Sequence, residues 1–186
     1  MKFTATRLPG VVLIEPAQIA DDRGWFMESF NQQRFDAGLA SLGLPAARPF
    51  VQDNESSSAR QVLRGLHYQL PPHPQGKLVR VVAGAVFDVA VDIRRGSASF
   101  GQWVGTELSA DNRHQLWIPE GFAHGFVALT DDARFLYKTT DHYARDCERA
   151  ICWDDPGIGI TWPLGMAPRL AGKDAAAPLL RDADLF

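Results

Sequence analysis

The feature of this sequence that most constrains its fold is a two-residue alternation over residues 87–94. Successive side chains of a β-strand point to opposite faces of a sheet, so this period predicts a strand with two different faces. One face carries Phe87, Val89, Val91 and Ile93, and the other carries Asp88, Ala90, Asp92 and Arg94. The alternation favours a β-rich fold.

Shorter segments with strand-like composition recur along the chain. Gly, Pro, Asn and Asp separate them at close intervals, and many short strands with such turns indicate an antiparallel sandwich or barrel. The segments lie at residues 11–14, 25–30, 50–54, 62–68, 78–94 with a break near Gly84, 103–108, 115–118, 124–129 and 135–139.

Few helices are predicted outside these strands. Asn31 is a suitable N-cap for a short helix that runs to about Leu39, and a helical turn is expected near Lys173. The segment from Ile151 onward is too apolar to be disordered, so we expect it to pack back over the barrel. No repeat or linker interrupts the chain, and residues 1–186 are expected to form one domain.

The overall charge of the chain limits the partners that it can attract. A formal net charge of -3 and a pI of about 5.9 give no general attraction to nucleic acid or anionic membranes. Cys147 and Cys152 form no CxxC pair, and their number predicts structural thiols in a reducing compartment. The N-terminus does not resemble a signal peptide and no apolar run reaches membrane length, so a cytoplasmic location is expected.

Ionisable residues concentrate in two neighbouring strand-like segments, 64–69 and 75–80. Arg64, His67 and Lys77 lie there among apolar residues and glycines. Such groups are costly to bury unless they face a wet pocket or one another, so the segments predict the floor of an active site for an anionic substrate.

A metal site is the first alternative to consider for the histidines. His67 and His124 lie in apolar, strand-like sequence and therefore need polar partners or a function. Residues 119–124 resemble the later metal-binding segment of cupin barrels, but position 69 is Gln where the earlier segment has a second histidine. We therefore predict metal-free chemistry, with His67 as a general base.

A base of this kind needs several partners. A carboxylate must orient the imidazole, and Asp174, Asp88 and Asp92 are equally suitable by sequence. An acid on the opposite side of a substrate would let one pocket invert a carbon, and Tyr137 or Tyr143 could serve. The chain has no glycine-rich phosphate loop, so side chains must bind any phosphate. The cations available are Arg23, Arg64, Lys77, Arg80 and Lys173.

Taken together, these segments closely resemble the dTDP-4-dehydrorhamnose 3,5-epimerase family over nearly the full chain. Several ordered blocks carry the resemblance, which makes chance similarity implausible. They include Asp-Arg-Gly-Trp-Phe-Met-Glu-Ser at 22–29, Val-Gln-Asp-Asn at 51–54, Val-Leu-Arg-Gly-Leu-His-Tyr-Gln at 62–69, Gln-Gly-Lys-Leu-Val-Arg at 75–80, residues 86–94 and 117–127, Leu-Tyr-Lys at 136–138 and Lys-Asp-Ala-Ala-Ala-Pro-Leu-Leu at 173–180.

The resemblance implies a cupin-like antiparallel jelly roll that forms a homodimer and needs no cofactor. It implies that His67 is the base, that Asp174 orients it, that Tyr137 is the opposing acid and that Lys77 stabilises charge on a C4 oxygen. It implies stacking of Tyr143 on thymine. The other implied contacts to the dTDP-sugar are Arg23, Glu28, Gln52, Asp53, Asn54, Arg64, Asp88, His124, Glu148 and Lys173.

The implied reaction also makes chemical sense for these residue types. A ketone at C4 of dTDP-4-dehydro-6-deoxy-D-glucose acidifies the hydrogens at C3 and C5, and a nearby cation stabilises the enolate. The alternatives are an epimerase that acts at C3 or C5 only, a ketoisomerase of a related dTDP-sugar, a cupin that only binds a nucleotide-sugar, and a metal-dependent cupin enzyme.

Overall fold

The computed structural model describes every residue from Met1 to Phe186, and two packed antiparallel sheets dominate it. This architecture is the β-rich, cupin-like fold that the sequence predicts. The six-stranded sheet runs in the order β1 (Lys2–Ala5), β2 (Val12–Glu15), β10 (Gln115–Ile118), β7 (Lys77–Ala83), β12 (Ala133–Thr139) and β5 (Gln52–Ser58). The five-stranded sheet runs in the order β13 (Glu148–Ala150), β6 (Leu63–Gln69), β11 (Phe122–Ala128), β8 (Ala85–Asp92) and β9 (Trp103–Ser109).

Strand β8 forms as its alternation predicts, but both of its faces are buried. Val89 and Val91 point away from the six-stranded sheet and join a cluster with Ile151 and Ile158 of the C-terminal segment. The alternate residues point between the sheets, where Ala90 joins the main core. The alternation therefore separates two buried layers, and it does not separate core from solvent.

The C-terminal segment covers the outer face of the five-stranded sheet, as expected from its composition. Trp162, Leu180 and Phe186 pack against the cluster beneath it. The same segment contains the short helix α2 (Gly172–Ala175), which contacts β6. Packing of this segment therefore places α2 next to β6.

Helix α1 (Gln32–Ser41) covers the outer face of the six-stranded sheet. Asn31 is its N-cap, as predicted, and accepts a 3.2 Å hydrogen bond from the Arg34 amide. The helix continues through Gly38, where an added Cβ would lie 2.4 Å from the Phe3 ring, so a larger residue would displace that ring. Phe35 makes an edge contact with Trp117 of β10 at 5.3 Å.

A two-stranded hairpin stands apart from both sheets. It consists of β3 (Gln18–Asp21) and β4 (Gly24–Met27). The sequence predicts β4, which ends at Met27 rather than at residue 30, but it does not predict β3 or β1. Ile19 and Phe26 are 69% and 68% exposed, so apolar surface remains uncovered on this hairpin.

No helix in the structure combines the length and the hydropathy required to cross a membrane.

Candidate active site

Two histidines lie side by side on neighbouring strands at one end of the sandwich interior. His67 of β6 and His124 of β11 are register partners in the five-stranded sheet. Two glycines let these strands approach closely, because a Cβ on Gly65 would lie 2.5 Å from the Gly125 Cα atom. The ladder shifts register beside this contact, between His124 and Phe126. The irregularity lies next to the paired imidazoles.

His67 is bonded to a carboxylate that lies 107 residues away in sequence. Its Nε2 atom is 2.6 Å from Oδ1 of Asp174, which α2 supplies. Burial of Asp174 favours its neutral form, but the hydrogen bond to His67, the charge of that ring, the Gly65 amide and Lys173 outweigh burial and lower the pKa of Asp174. The carboxylate is therefore ionised at neutral pH and holds Nε2–H, which leaves Nδ1 free to accept a proton.

Lys77 lies beside His67 at the start of β7. Its Nζ atom donates a 3.2 Å hydrogen bond to the His67 carbonyl, and the residue is only 8% exposed. Burial lowers the pKa of Lys77 to about 8, while Asp88 and Glu148 raise it and Lys173 lowers it further. The buried ammonium remains charged at neutral pH and can stabilise an oxyanion placed next to it.

His124 has its own carboxylate partner, Asp88 of β8. The distance from His124 Nε2 to Asp88 Oδ2 is 2.9 Å, and Asp88 is fully buried. Burial raises the pKa of Asp88, with His124 and Lys77 opposing the change, and burial lowers the pKa of His124. The two groups titrate as a coupled pair.

Tyr137 enters this region from the six-stranded sheet, opposite the histidines. It lies on β12 between Asn54 of β5 and Val79 of β7. Burial raises the pKa of Tyr137; Glu148 raises it as well, and Arg64 and Lys173 lower it. Glu148 and Lys173 also act on the pKa of Lys77, which places the phenol and the ammonium within reach of the same charges.

Polar residues line the opening of the site. A cavity of about 350 Å³ has His67, Glu148 and Lys173 in its wall, and the C-terminal segment supplies much of the rest; neither Lys77 nor Tyr137 lines it. Lys173 Nζ is 2.7 Å from Glu148, and the Tyr143 hydroxyl donates to Glu148 at 3.1 Å. Tyr143 is largely exposed, so a face of its ring is accessible to solvent.

Three further predicted residues lie close to this opening. The amide of Tyr143 donates to Gln52 Oε1 at 3.0 Å, and Gln52 bonds in turn to Asn54. Arg64 donates to the Ser58 hydroxyl at 3.0 Å and influences the pKa of Tyr137. Gln52, Asn54 and Arg64 therefore belong to the neighbourhood of the site.

Asp53 lies on the opposite face of the six-stranded sheet from Gln52, Asn54 and Tyr137. It alternates with Gln52 and Asn54 along β5, and it pairs with Lys138 at 2.9 Å. Because successive side chains of a strand point to opposite faces of the sheet, a direct contact from Asp53 to a ligand beside His67 would have to pass through the sheet.

Arg23 and Glu28 are also separated from the cavity within a single chain. Arg23 pairs with Asp21 at 2.6 Å on the exposed hairpin. Glu28 pairs with Arg34 of α1 at 3.3 Å. Neither residue has a contact with the groups around His67 in this chain.

Gln69 has a structural use that sequence reasoning missed. Its Nε2 atom donates to the His73 carbonyl at 2.6 Å, and its Oε1 atom accepts from the Ala144 amide at 2.8 Å. The side chain thus fastens two loops beside the site. The isolated position of a polar residue at the end of an apolar strand was the available signal.

No group of three or more His, Cys, Asp or Glu side chains is arranged to hold a metal ion.

The chain matches known proteins along almost its whole length. The profile described as dTDP-4-dehydrorhamnose 3,5-epimerase matches residues 5–182. A dTDP-4-dehydrorhamnose 3,5-epimerase from Pseudomonas aeruginosa is 56% identical over 186 residues, covering 100% of this chain and 99% of that protein.

Solved structures agree with the sequence matches. A dTDP-6-deoxy-D-glucose-3,5-epimerase from Legionella pneumophila, in complex with dTDP-4-keto-L-rhamnose, superposes with a TM-score of 0.91 at 51% identity, covering 98% of this chain and 94% of that one. A 3'-monoepimerase from Streptomyces bikiniensis, in complex with dTDP-quinovose, has a TM-score of 0.85 at 34% identity, covering 95% and 86%. Because the family profile, the sequence identity and the fold all agree, the chain belongs to the dTDP-4-dehydrorhamnose 3,5-epimerase family of isomerases.

Proposed function

We propose that this protein epimerises dTDP-4-dehydro-6-deoxy-D-glucose at C3 and C5, giving dTDP-4-dehydro-L-rhamnose without a cofactor. The observation that carries the proposal is the 2.6 Å contact between His67 and Asp174 beside the buried Lys77 ammonium. A base with an ionised partner and a cation close by are the groups that enolate formation requires.

In the proposed mechanism His67 Nδ1 removes the hydrogen next to the C4 ketone as a proton. The electron pair of the C–H bond moves into the ring and places negative charge on O4, where Lys77 stabilises it. Asp174 stabilises the imidazolium that forms. Tyr137 then donates its proton to the same carbon from the opposite side, which inverts the centre, and proton exchange with solvent restores both residues.

We propose that the remaining polar residues hold the nucleotide. Tyr143 would stack on the thymine, while Arg64 and Lys173 would bind the diphosphate through charge-assisted hydrogen bonds. Gln52 and Asn54 would contact the base or the sugars. Residues 1–186 would act as one cupin-like domain in the cytoplasm.

We propose further that the active species is a homodimer in which the hairpin of one chain completes the site of the other. The hairpin carries exposed apolar side chains, including Ile19 and Phe26, which a partner would cover. Arg23 does not contact the groups around His67 in its own chain. Its side chain is largely exposed and could therefore contact a neighbouring chain. Family membership implies contacts from Arg23 and Glu28 to the dTDP-sugar, and a partner's hairpin is the simplest way to supply them.

Incubation with dTDP-4-dehydro-6-deoxy-D-glucose in deuterated water tests the reaction. Deuterium at both C3 and C5, with formation of the L-rhamno product, is the expected result. Deuterium at only one of these carbons would identify a C3-only or C5-only epimerase. Tyr137→Phe should retain exchange but lose most of the inversion. No exchange by the wild-type protein would reject the proposal.

A C3-only reaction is the second candidate, because a 3'-monoepimerase superposes well on this chain. The greater identity to 3,5-epimerases favours the double reaction. Movement of the carbonyl from C4 to a neighbouring carbon during turnover would instead identify a ketoisomerase.

Mixing two inactive variants tests the shared site. In randomly mixed dimers of His67→Ala and Arg23→Ala, about a quarter of wild-type exchange should return, since half of the dimers are hybrids with one intact site. Each variant alone, carried through the same unfolding and refolding, is the control. Hybrid dimers without recovered activity would contradict a site completed by the partner.

A further inference from the structure

Asp88 is a buried titratable group that has no exposed surface for a substrate to contact. Its exposed fraction is 0%, and its Oδ2 atom is occupied by the 2.9 Å contact to His124 Nε2. Its Oδ1 atom has no hydrogen-bond partner in the chain. A carboxylate in this position acts on the site through its neighbours.

The neighbour held by Asp88 is His124, whose ring is fixed on two sides. One nitrogen contacts Asp88, and the ring stacks on Phe135 at 5.9 Å with planes inclined by 23°. By strand register His124 lies directly opposite His67. A change in the orientation of the His124 ring would therefore alter the surroundings of the His67 ring, the proposed base.

We infer that Asp88 is a positioning residue: its 2.9 Å contact fixes the His124 ring beside His67. The inference rests on the proposed function for its catalytic consequence, and it assigns Asp88 no contact with the dTDP-sugar. Replacing the carboxylate by an amide changes the group that His124 Nε2 meets, and with it the tautomer or orientation of the ring.

The test compares Asp88→Asn with Asp92→Asn. Asp92 is a matched control because it is a fully buried carboxylate on the same strand, bonded to Arg94 at 2.7 Å and to Ser99, away from the histidines. In Asp88→Asn we expect kcat to fall by up to about tenfold and no further than in His124→Asn, because the variant disturbs the His124 ring but does not remove it. The affinity for dTDP should change less than threefold. Asp92→Asn should keep the wild-type kcat.

A readout that needs no turnover separates this inference from the proposed function. ¹⁵N NMR of labelled histidine should show an altered tautomer or ring environment for His124 in Asp88→Asn, and an unaltered one in Asp92→Asn. A wild-type kcat together with a wild-type His124 signal in Asp88→Asn would overturn the inference. Loss of dTDP binding with folded protein would also overturn it, because it would indicate a direct ligand contact. An inactive wild-type protein with the expected His124 signals would reject only the proposed reaction.

Discussion

Two histidine–aspartate pairs lie side by side in this protein, and their surroundings differ. In the His67–Asp174 pair the imidazole is 23% exposed, and its carboxylate is supplied by the short helix α2, which contacts β6. In the His124–Asp88 pair both groups lie inside the sandwich. The pKa of Asp174 is lowered, because its hydrogen bond to His67, the charge of that ring, the Gly65 amide and Lys173 outweigh burial. The pKa of Asp88 is raised, because burial outweighs the opposing effects of His124 and Lys77.

The contrast indicates why only one of the two imidazoles is suited to act as a base. A base needs access to a substrate and a partner that remains ionised when the ring becomes charged. The first pair has both properties. The second pair is closed to solvent, and burial lowers the pKa of His124, so a second positive charge beside His67 is disfavoured.

Substituting the two histidines in turn gives the largest expected difference. His67→Asn should lower kcat about 1,000-fold, since general-base catalysis is typically worth 10²–10⁴-fold. His124→Asn should lower it only about tenfold. Deuterium exchange in single-turnover experiments measures both, and equal losses would show that the two rings have similar roles.

Lys77, which lies between the pairs, should matter for both activity and stability. Lys77→Met should lower kcat about 100-fold or more, the usual loss when one oxyanion donor is removed. A folded pKa of about 8 against 10.5 also means that burying the charged form costs about 3 kcal/mol at pH 7. We therefore expect Lys77→Met to raise the free energy of unfolding.

The sign of the pH effect provides a second check on Lys77. Between pH 8 and 10.5 the unfolded lysine retains the proton that the folded one has lost, so the wild-type free energy of unfolding gains from this group as pH rises. Urea titrations across this window should give a shallower pH slope for Lys77→Met. An identical slope would mean that the amine is not perturbed.

The two aspartates should have opposite effects on stability. Asp174 has a folded pKa below 3.8, so its stabilisation is present at neutral pH and lost as pH falls through that folded value. Asp174→Asn should therefore lower the free energy of unfolding at pH 7 by about 1–3 kcal/mol. It should also lower kcat about 100-fold, because the imidazole loses its orienting carboxylate.

Asp88 has a folded pKa above 3.8, so its favourable contribution is complete below 3.8 and is lost as pH rises through the folded value. Asp88→Asn should consequently not lower the free energy of unfolding at pH 7. Denaturant titrations at pH 4 and pH 7 compare the two variants, and destabilisation of both at pH 7 would remove the distinction between the pairs.

The smallest effect is expected at Asp53, which lies on the other side of the sheet. Asp53→Asn should leave kcat and KM within twofold of wild type and change stability by less than about 1 kcal/mol, as is usual for an exposed ion pair. Gln52→Ala, one residue away on the cavity face, is the matched comparison and should raise KM. A large change in KM for Asp53→Asn would contradict the assignment of faces.

Much of the fold was predictable because its signals are local. The Asn31 cap and the alternation of β8 follow from backbone geometry over a few residues, and the structure has both. The same period could have separated Asp53 from Gln52 and Asn54. The short strands β1 and β3 were missed because four residues with little apolar pattern give no clear period.

Local sequence patterns were enough to predict the β-rich class, the helix cap and the set of residues from which a proton-transfer site could be built. They left Asp174, Asp88 and Asp92 equivalent as partners for His67. Only the tertiary structure distinguished them, because packing of the C-terminal segment brings Asp174 to 2.6 Å from His67 while strand pairing commits Asp88 to His124. Contacts across 107 residues depend on how layers pack, and no local pattern encodes that distance.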